Sequence, residues 1–216
     1  MTYFDSPFIN VVGNPMPNGN DYMLVTRRNA QNMVINKNDY EYKIMMPDAV
    51  ACALIIKVKD KPARLFLQNE FRYPLSRFLL SPPAGLIDDD LKYMEELDMR
   101  CNAIIATAAK EIFEETGLDI KKSTQCTTRI ISPAVFSSPG LTDESTAMVS
   151  IVVELDEEPN WNHNHIESTE IFDEMVFLTK AEARSLLRTG LDFNYNPYPV
   201  YTWAILMWFV SDMWKE

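Results

Sequence analysis

The chain has 216 residues, a formal charge of −11 and a hydrophobic share of 47%. That length suits one large domain or two small ones, with enough apolar residues for a sizeable core. The acidic excess argues against a nonspecific nucleic-acid surface or an anionic-membrane surface, since both need a basic patch. It does not exclude a phosphorylated ligand, because a bound metal ion supplies local positive charge.

Residues 1–20 are rich in Asn, Pro and Gly and read as an irregular arm. They hold neither a basic stretch nor an apolar run, so no signal peptide is expected. Residues 21–35 and 39–46 alternate weakly, as edge strands would. Ala49–Val58 is a near-continuous apolar run of strand length, which predicts a buried central strand. Residues 59–62 form a turn. Residues 64–71 then alternate, Leu65, Leu67 and Asn69 against Phe66, Gln68 and Glu70, and complete a hairpin. Residues 99–116 carry a helical stripe of Ile104, Ala108 and Ile112, and Gly117 stands where a helix usually stops. Residues 127–131, 147–155 and 175–178 read as strands. Thr179 is a candidate N-cap for an amphipathic helix reaching Arg188. Residues 199–215 read as a final helix holding Trp203, Trp208 and Trp214; its apolar part is too short to span a bilayer. This order predicts an α/β fold, a mixed sheet flanked by helices. Cys52, Cys101 and Cys126 are odd in number and lack a C-x-x-C pair, which points to reduced thiols in the cytoplasm.

The segment 110–118, KEIFEETGL, is the most informative. Glu111, Glu114 and Glu115 stand at i, i+3 and i+4, so on a helix they share a face with neighbouring Cβ atoms about 5–6 Å apart. Carboxylates that close repel one another and hold each other's protons more tightly. A hard divalent cation relieves the repulsion, and carboxylate oxygens are the ligands Mg²⁺ prefers. A solvated acidic helix end has the same pattern. Spacing alone leaves both readings open.

Twenty-five positions before Lys110 stands Gly85, in the segment 82–88, PPAGLID. The two segments together resemble the Nudix hydrolase signature, G-x5-E-x7-R-E-U-x-E-E-x-G-U with U aliphatic. Gly85 matches its opening glycine; Glu111, Glu114, Glu115, Gly117 and Leu118 match its closing half. Residues 68–74, QNEFRYP, look like the strand and turn before the signature in ADP-ribose pyrophosphatases. Residues 138–144, SPGLTDE, look like the S-P-G-x-x-D-E loop of that subgroup. The resemblance covers roughly residues 48–190. The chain also departs from the pattern. Its spacing from Gly85 to Lys110 is about 11 residues longer, Lys110 replaces the arginine, and Asn102 stands where the family has glutamate. Ser81 replaces the glutamate of the segment usually written E-L-P-A-G.

The resemblance implies an α/β/α sandwich over residues 47–216. It also implies an N-terminal strand region, residues 1–46, that helps build a homodimer. It implies metal-assisted hydrolysis of a nucleoside diphosphate linked to a sugar, giving a nucleoside monophosphate and a sugar phosphate, with Mg²⁺ or Mn²⁺ as cofactor. In that reading Glu111 and Glu115 are direct metal ligands, Glu114 a third or one acting through water, and the Ala84 carbonyl a further ligand. Gly85 lets the chain pass close to the phosphates, and Arg72 contacts them. Lys110 orients Glu114, and Glu144 supports the S-P-G loop or touches substrate. The general base comes from the late acidic stretch 163–170, where Glu167 and Glu170 are the candidates and Glu170 is favoured by its distance from the strand. His163 and His165 read as members of a polar loop. Three other readings share these residues. The longer loop and Lys110 also look like the UDP-sugar pyrophosphatase branch. Asn102 and Ser81 motivate a non-catalytic nucleotide-binding module. A housecleaning hydrolase of damaged nucleoside triphosphates is disfavoured by the S-P-G loop.

Overall fold

The computed structural model describes residues 2–6, 8–88, 97–121, 125–163 and 170–216. The N-terminal arm is more ordered than its composition suggests. Strands β1 (Thr2–Asp5), β2 (Asn10–Pro15) and β3 (Asp21–Thr26) pair as an antiparallel three-stranded sheet. Pro17, Asn18 and Gly19 do not break it, because they lie in the β2–β3 turn closed by Met16 N–H to Asn20 O at 2.8 Å. The strand from Asp21 stops at Thr26, since Asn29 starts a turn whose carbonyl accepts from Asn32 and Met33. Residues 39–46 are not a strand. Asp39–Ile44 is a short helix, α1. Its cause is a capping box: Asn38 Oδ1 accepts from Tyr40 and Glu41 N–H, while Glu41 accepts from Asn38 N–H at 2.8 Å.

The main sheet has seven strands. These are β4 (Ala49–Val58), β5 (Arg64–Arg72), β6 (Arg77–Ser81), β7 (Ala84–Leu86), β8 (Cys126–Phe136), β9 (Ser145–Leu155) and β10 (Phe172–Leu178). The order along the sheet is β10-β5-β4-β9-β8, with β6 on β5 and β7 on β4. β4 and β9 run parallel and the other pairs antiparallel, so the sheet is mixed as expected. β4 and β5 pair only at Ile55–Leu65 and Ile56–Arg64. Beyond that, β4 turns to β7 and β5 turns to β6. The segment joining β6 to β7 enters between them, and Cys52 N–H donates to Pro83 O at 2.8 Å.

Helices cover both faces. Helix α2 (Leu97–Thr116) lays Ile104, Ala108 and Ile112 on Val50, Cys52, Leu54 and Ile56 of β4. Helices α3 (Lys180–Thr189) and α4 (Val200–Val210) cover the opposite face with Ala183, Leu186, Leu206 and Phe209, against Ala51, Ala53 and Ile55. Alternate residues of β4 therefore point into two cores, which is why its sequence is apolar throughout. Each fully buried Leu, Ile or Phe contributes roughly 1.5–3 kcal/mol. Thr179 caps α3 as expected, in a capping box with Glu182. The final helix stops at Val210, with a separate 3-10 turn at Met213–Lys215. Among the described residues no helix is long and apolar enough to cross a membrane.

The arm is tied to the S-P-G loop and to the start of β4. Val25 N–H donates to Leu141 O at 2.9 Å, and Tyr22 Oη donates to Gly140 O at 2.6 Å. Arg28, mostly buried, pairs with the fully buried Asp48 at 2.7 Å, and Asp48 also accepts from Ser145 N–H at 2.9 Å. A buried pair held this way is costly to break from one side, by about 3–5 kcal/mol.

Candidate active site

Phe66, Gln68 and Glu70 alternate along β5 and share its face with α2, since Phe66 packs in the α2 core while Leu65 and Leu67 pack in the other. At the C-terminal end of α2, Glu111 and Glu115 stand one turn apart on that side and are both buried. Gly117 ends the helix with φ +76°, and its N–H closes the last turn on Phe113 O at 3.0 Å. An L-residue there would be strained by its φ and would also run into Asn162 Oδ1, 2.3 Å from the Cβ position.

The two carboxylates meet the β6–β7 segment. A Cβ on Gly85 would stand 2.1 Å from Glu111 Cδ, so the absence of a side chain makes room for that carboxylate. Glu115 accepts from Gln68 Nε2 at 2.5 Å through Oε2 and from Ala84 N–H at 3.4 Å through Oε1. Burial pushes the Glu115 carboxyl well above the usual carboxylate range, and Glu111, Glu70 and Glu170 push in the same direction; the Ala84 N–H opposes them. Glu70 is pushed up to about 7, chiefly by burial, with Arg72 opposing and Glu170 adding. Burial raises the Cys52 thiol, and Glu115 and Glu111 raise it further, so the negative field of the pair reaches the strand beneath.

Most of the residues singled out in the sequence converge here. Glu111, Glu115, Ala84 and Gly85 are in mutual reach, and Glu114 is half-buried on the same turns of α2. Glu170 reaches the cluster because β10 starts just after it: Phe172 pairs with Glu70, and Phe71 N–H donates to Ile171 O at 2.8 Å. Glu167 and His165 lie outside the described residues. Arg72 ends β5 and pairs with Glu70 at 2.5 Å. Lys110 Nζ stands 3.8 Å from the exposed Asp88 carboxylate. Glu144 pairs with Arg27 at 2.5 Å, which gives it a place in fixing the arm to the S-P-G loop. The His163 ring stacks on Phe172 with centroids 5.1 Å apart. Asn102 precedes Glu111 by nine residues, about two and a half turns, so it lies on the opposite side of α2, where it is exposed. Its replacement therefore leaves the carboxylate pair untouched.

Gln68 and Glu70 are the site residues that sequence reasoning passed over. Their signal was present: both alternate with Phe66 on one strand face, and two polar residues on a face that buries phenylalanine call for a partner.

Among the described residues, no three Asp, Glu, His or Cys side chains stand in an arrangement that would already enclose a metal ion. The donor set nonetheless fits a hard divalent cation. Its atoms are oxygens, its two central carboxylates are buried and repel each other, and Gln68 Oε1 is buried without a hydrogen-bond partner among the described residues. Glu111, Glu115, Glu114 and the Ala84 carbonyl are the groups that would hold it.

No family model matches the chain. It is 33% identical over 109 residues to the ADP-ribose pyrophosphatase of Saccharomyces cerevisiae, a stretch that is 50% of this chain and 40% of that protein. It is 29% identical over 100 residues to the protein named Nudix hydrolase 14, chloroplastic, of Arabidopsis thaliana, 44% of this chain and 29% of that protein. The chain thus spans less than half the length of the curated relatives it matches. Its fold matches a solved ADP compounds hydrolase with a TM-score of 0.50 and 18% identity, over 99% of this chain and 90% of that one. The motifs and the two curated relatives agree in a likeness to the Nudix hydrolases, over half of this chain at most.

Proposed function

We propose that the chain is a divalent-metal-dependent pyrophosphohydrolase that splits ADP-ribose or a nucleotide sugar into a nucleoside monophosphate and a sugar phosphate. The observation that carries this reading is the buried Glu111–Glu115 pair closing on Gly85 and Ala84. The likeness to a yeast protein named ADP-ribose pyrophosphatase supports the substrate class. Mg²⁺ or Mn²⁺ held there would neutralise pyrophosphate oxygens and lower the pKa of a bound water. Arg72, paired with Glu70 at the edge of the cluster, has the planar fork to grip a phosphate. Glu170 is assigned as the acceptor of the attacking water's proton, with Glu167 the alternative. Gly85 keeps Cβ bulk away from the Glu111 carboxylate.

The test is a panel of nucleoside diphosphate derivatives with Mg²⁺ and product analysis. AMP and ribose 5-phosphate from ADP-ribose, or the matching pair from a nucleotide sugar, are the expected products. No turnover of any compound with metal present would assign the chain to nucleotide binding instead.

A C₂ homodimer formed through the arm belongs to the same proposal. Tyr3, Phe4, Phe8 and Tyr22 leave aromatic surface exposed on or beside the three-stranded sheet, and such a patch favours burial against a second copy. Light scattering behind a sizing column is expected to give about twice the 24.9 kDa of one chain; the single-chain mass at micromolar concentration would overturn the dimer. The three cysteines are unpaired, which supports a reducing, cytoplasmic location. Recovery from a secreted or lumenal fraction would contradict it.

A further inference from the structure

Gln68 is fully buried, in the middle of β5, on the face that packs Phe66 beneath α2. A carboxamide in that place costs desolvation unless both of its ends are hydrogen-bonded. Among the described residues only one end is: Nε2 donates to Glu115 Oε2 at 2.5 Å, while Oε1 is buried without a partner there. Leucine or methionine would fill similar space without that cost, so packing does not account for an amide here. Its bond to Glu115 does.

Glu115 is gripped from two separate elements. β5 holds Oε2 through Gln68, and the start of β7 holds Oε1 through the Ala84 N–H at 3.4 Å. Donors on both oxygens fix the plane of the carboxylate. With Gln68 removed, the long bond to Ala84 is the one left among the described residues, and the flexible side chain regains rotamer freedom that ligand binding must then remove. We propose that Gln68 is a positioning residue: its amide sets the Glu115 carboxylate in the orientation that receives a divalent cation. This rests on the reading of the cluster as a cation site.

The test uses the full chain and Mn²⁺ alone, titrated by calorimetry without substrate, together with steady-state kinetics. Gln68→Met keeps the length and removes the amide; Gln68→Asn keeps the amide and withdraws it by one methylene. Both are expected to weaken Mn²⁺ binding by about tenfold or more, the scale on which groups that orient metal ligands act. Both should lower kcat with KM for the nucleotide changed less than about threefold, because Gln68 acts through Glu115 and not on the substrate. A packing role predicts lower melting temperatures with Mn²⁺ affinity unchanged. Wild-type Mn²⁺ affinity in a folded variant would overturn the proposal and leave the hydrolase reading standing. Failure of both variants to fold would assign Gln68 to packing and overturn it as well. Absence of Mn²⁺ uptake by the wild type would instead overturn the cation reading itself.

Discussion

Glu115→Gln is expected to lower kcat by at least about 10²-fold, the scale on which a single electrostatic element of an active site acts. The substitution keeps shape and removes one charge from the two-carboxylate centre. Folding should survive, and the metal-free protein should gain stability at neutral pH. A carboxyl whose pKa is raised in the folded state binds more protons folded than unfolded, so its contribution is full below its ordinary value of 4.5 and is lost as pH rises through the folded value. Glu115 and Glu70 are both raised, Glu70 to about 7, so the metal-free wild type should lose stability as pH climbs from 4.5 through 7. Glu115→Gln removes the part of that loss due to Glu115 and leaves the part due to Glu70. Thermal melts in a chelator from pH 5 to 8 check this: the wild-type Tm should fall more steeply than the variant's. A variant that melts lower than wild type at pH 8 with the same slope, or one that keeps near-full activity, would remove Glu115 from the site.

Gly85→Ala is expected to separate catalysis from folding. The backbone at Gly85 is outside the left-handed region, so alanine imposes no strain of its own. Its Cβ would instead stand 2.1–2.4 Å from the Cδ and both oxygens of Glu111. Those atoms end a flexible side chain, so the clash resolves by Glu111 swinging away. Activity should drop by about 10²-fold, as when a catalytic group is displaced by an ångström. The Tm should move by no more than a few degrees. A variant that unfolds would mean that Gly85 serves the chain turn; one with full activity would mean that Glu111 does not need the space.

The sequence and the structure agree most closely where a side chain has one physical role. Ala49–Val58 is apolar throughout because helices cover both of its faces, and its strand is legible for that reason. Gly117 and Thr179 mark helix ends through local chemistry, and both ends stand where expected. The helix Asp39–Ile44 was obscured because weak alternation outweighed the Asn38–Glu41 capping box in a six-residue element. The arm's strands were obscured because Asn10, Gly13, Asn14 and Pro15 stand within β2 itself and Pro17, Asn18 and Gly19 in the turn after it, so little apolar pattern marks the strands. In the site, the i, i+3, i+4 spacing on α2 was legible, since a helix fixes which side chains meet. Gln68 and Glu70 were legible only as polar residues on a buried strand face, because their partner appears only when α2 crosses β5. The place of Glu170 depends on the β5–β10 ladder, a long-range pairing that spacing does not express.

The proposed hydrolysis depends on Glu111 and Glu115 holding a divalent cation. Mn²⁺ uptake by the wild type and by Glu111→Gln/Glu115→Gln, measured side by side without substrate, tests this most directly. Saturable uptake by the wild type at pH 8, accompanied by a rise in Tm, is the expected result. Both should be lost in the double variant, which should remain folded. Equal uptake by the two proteins, or none by the wild type, would contradict the cation site.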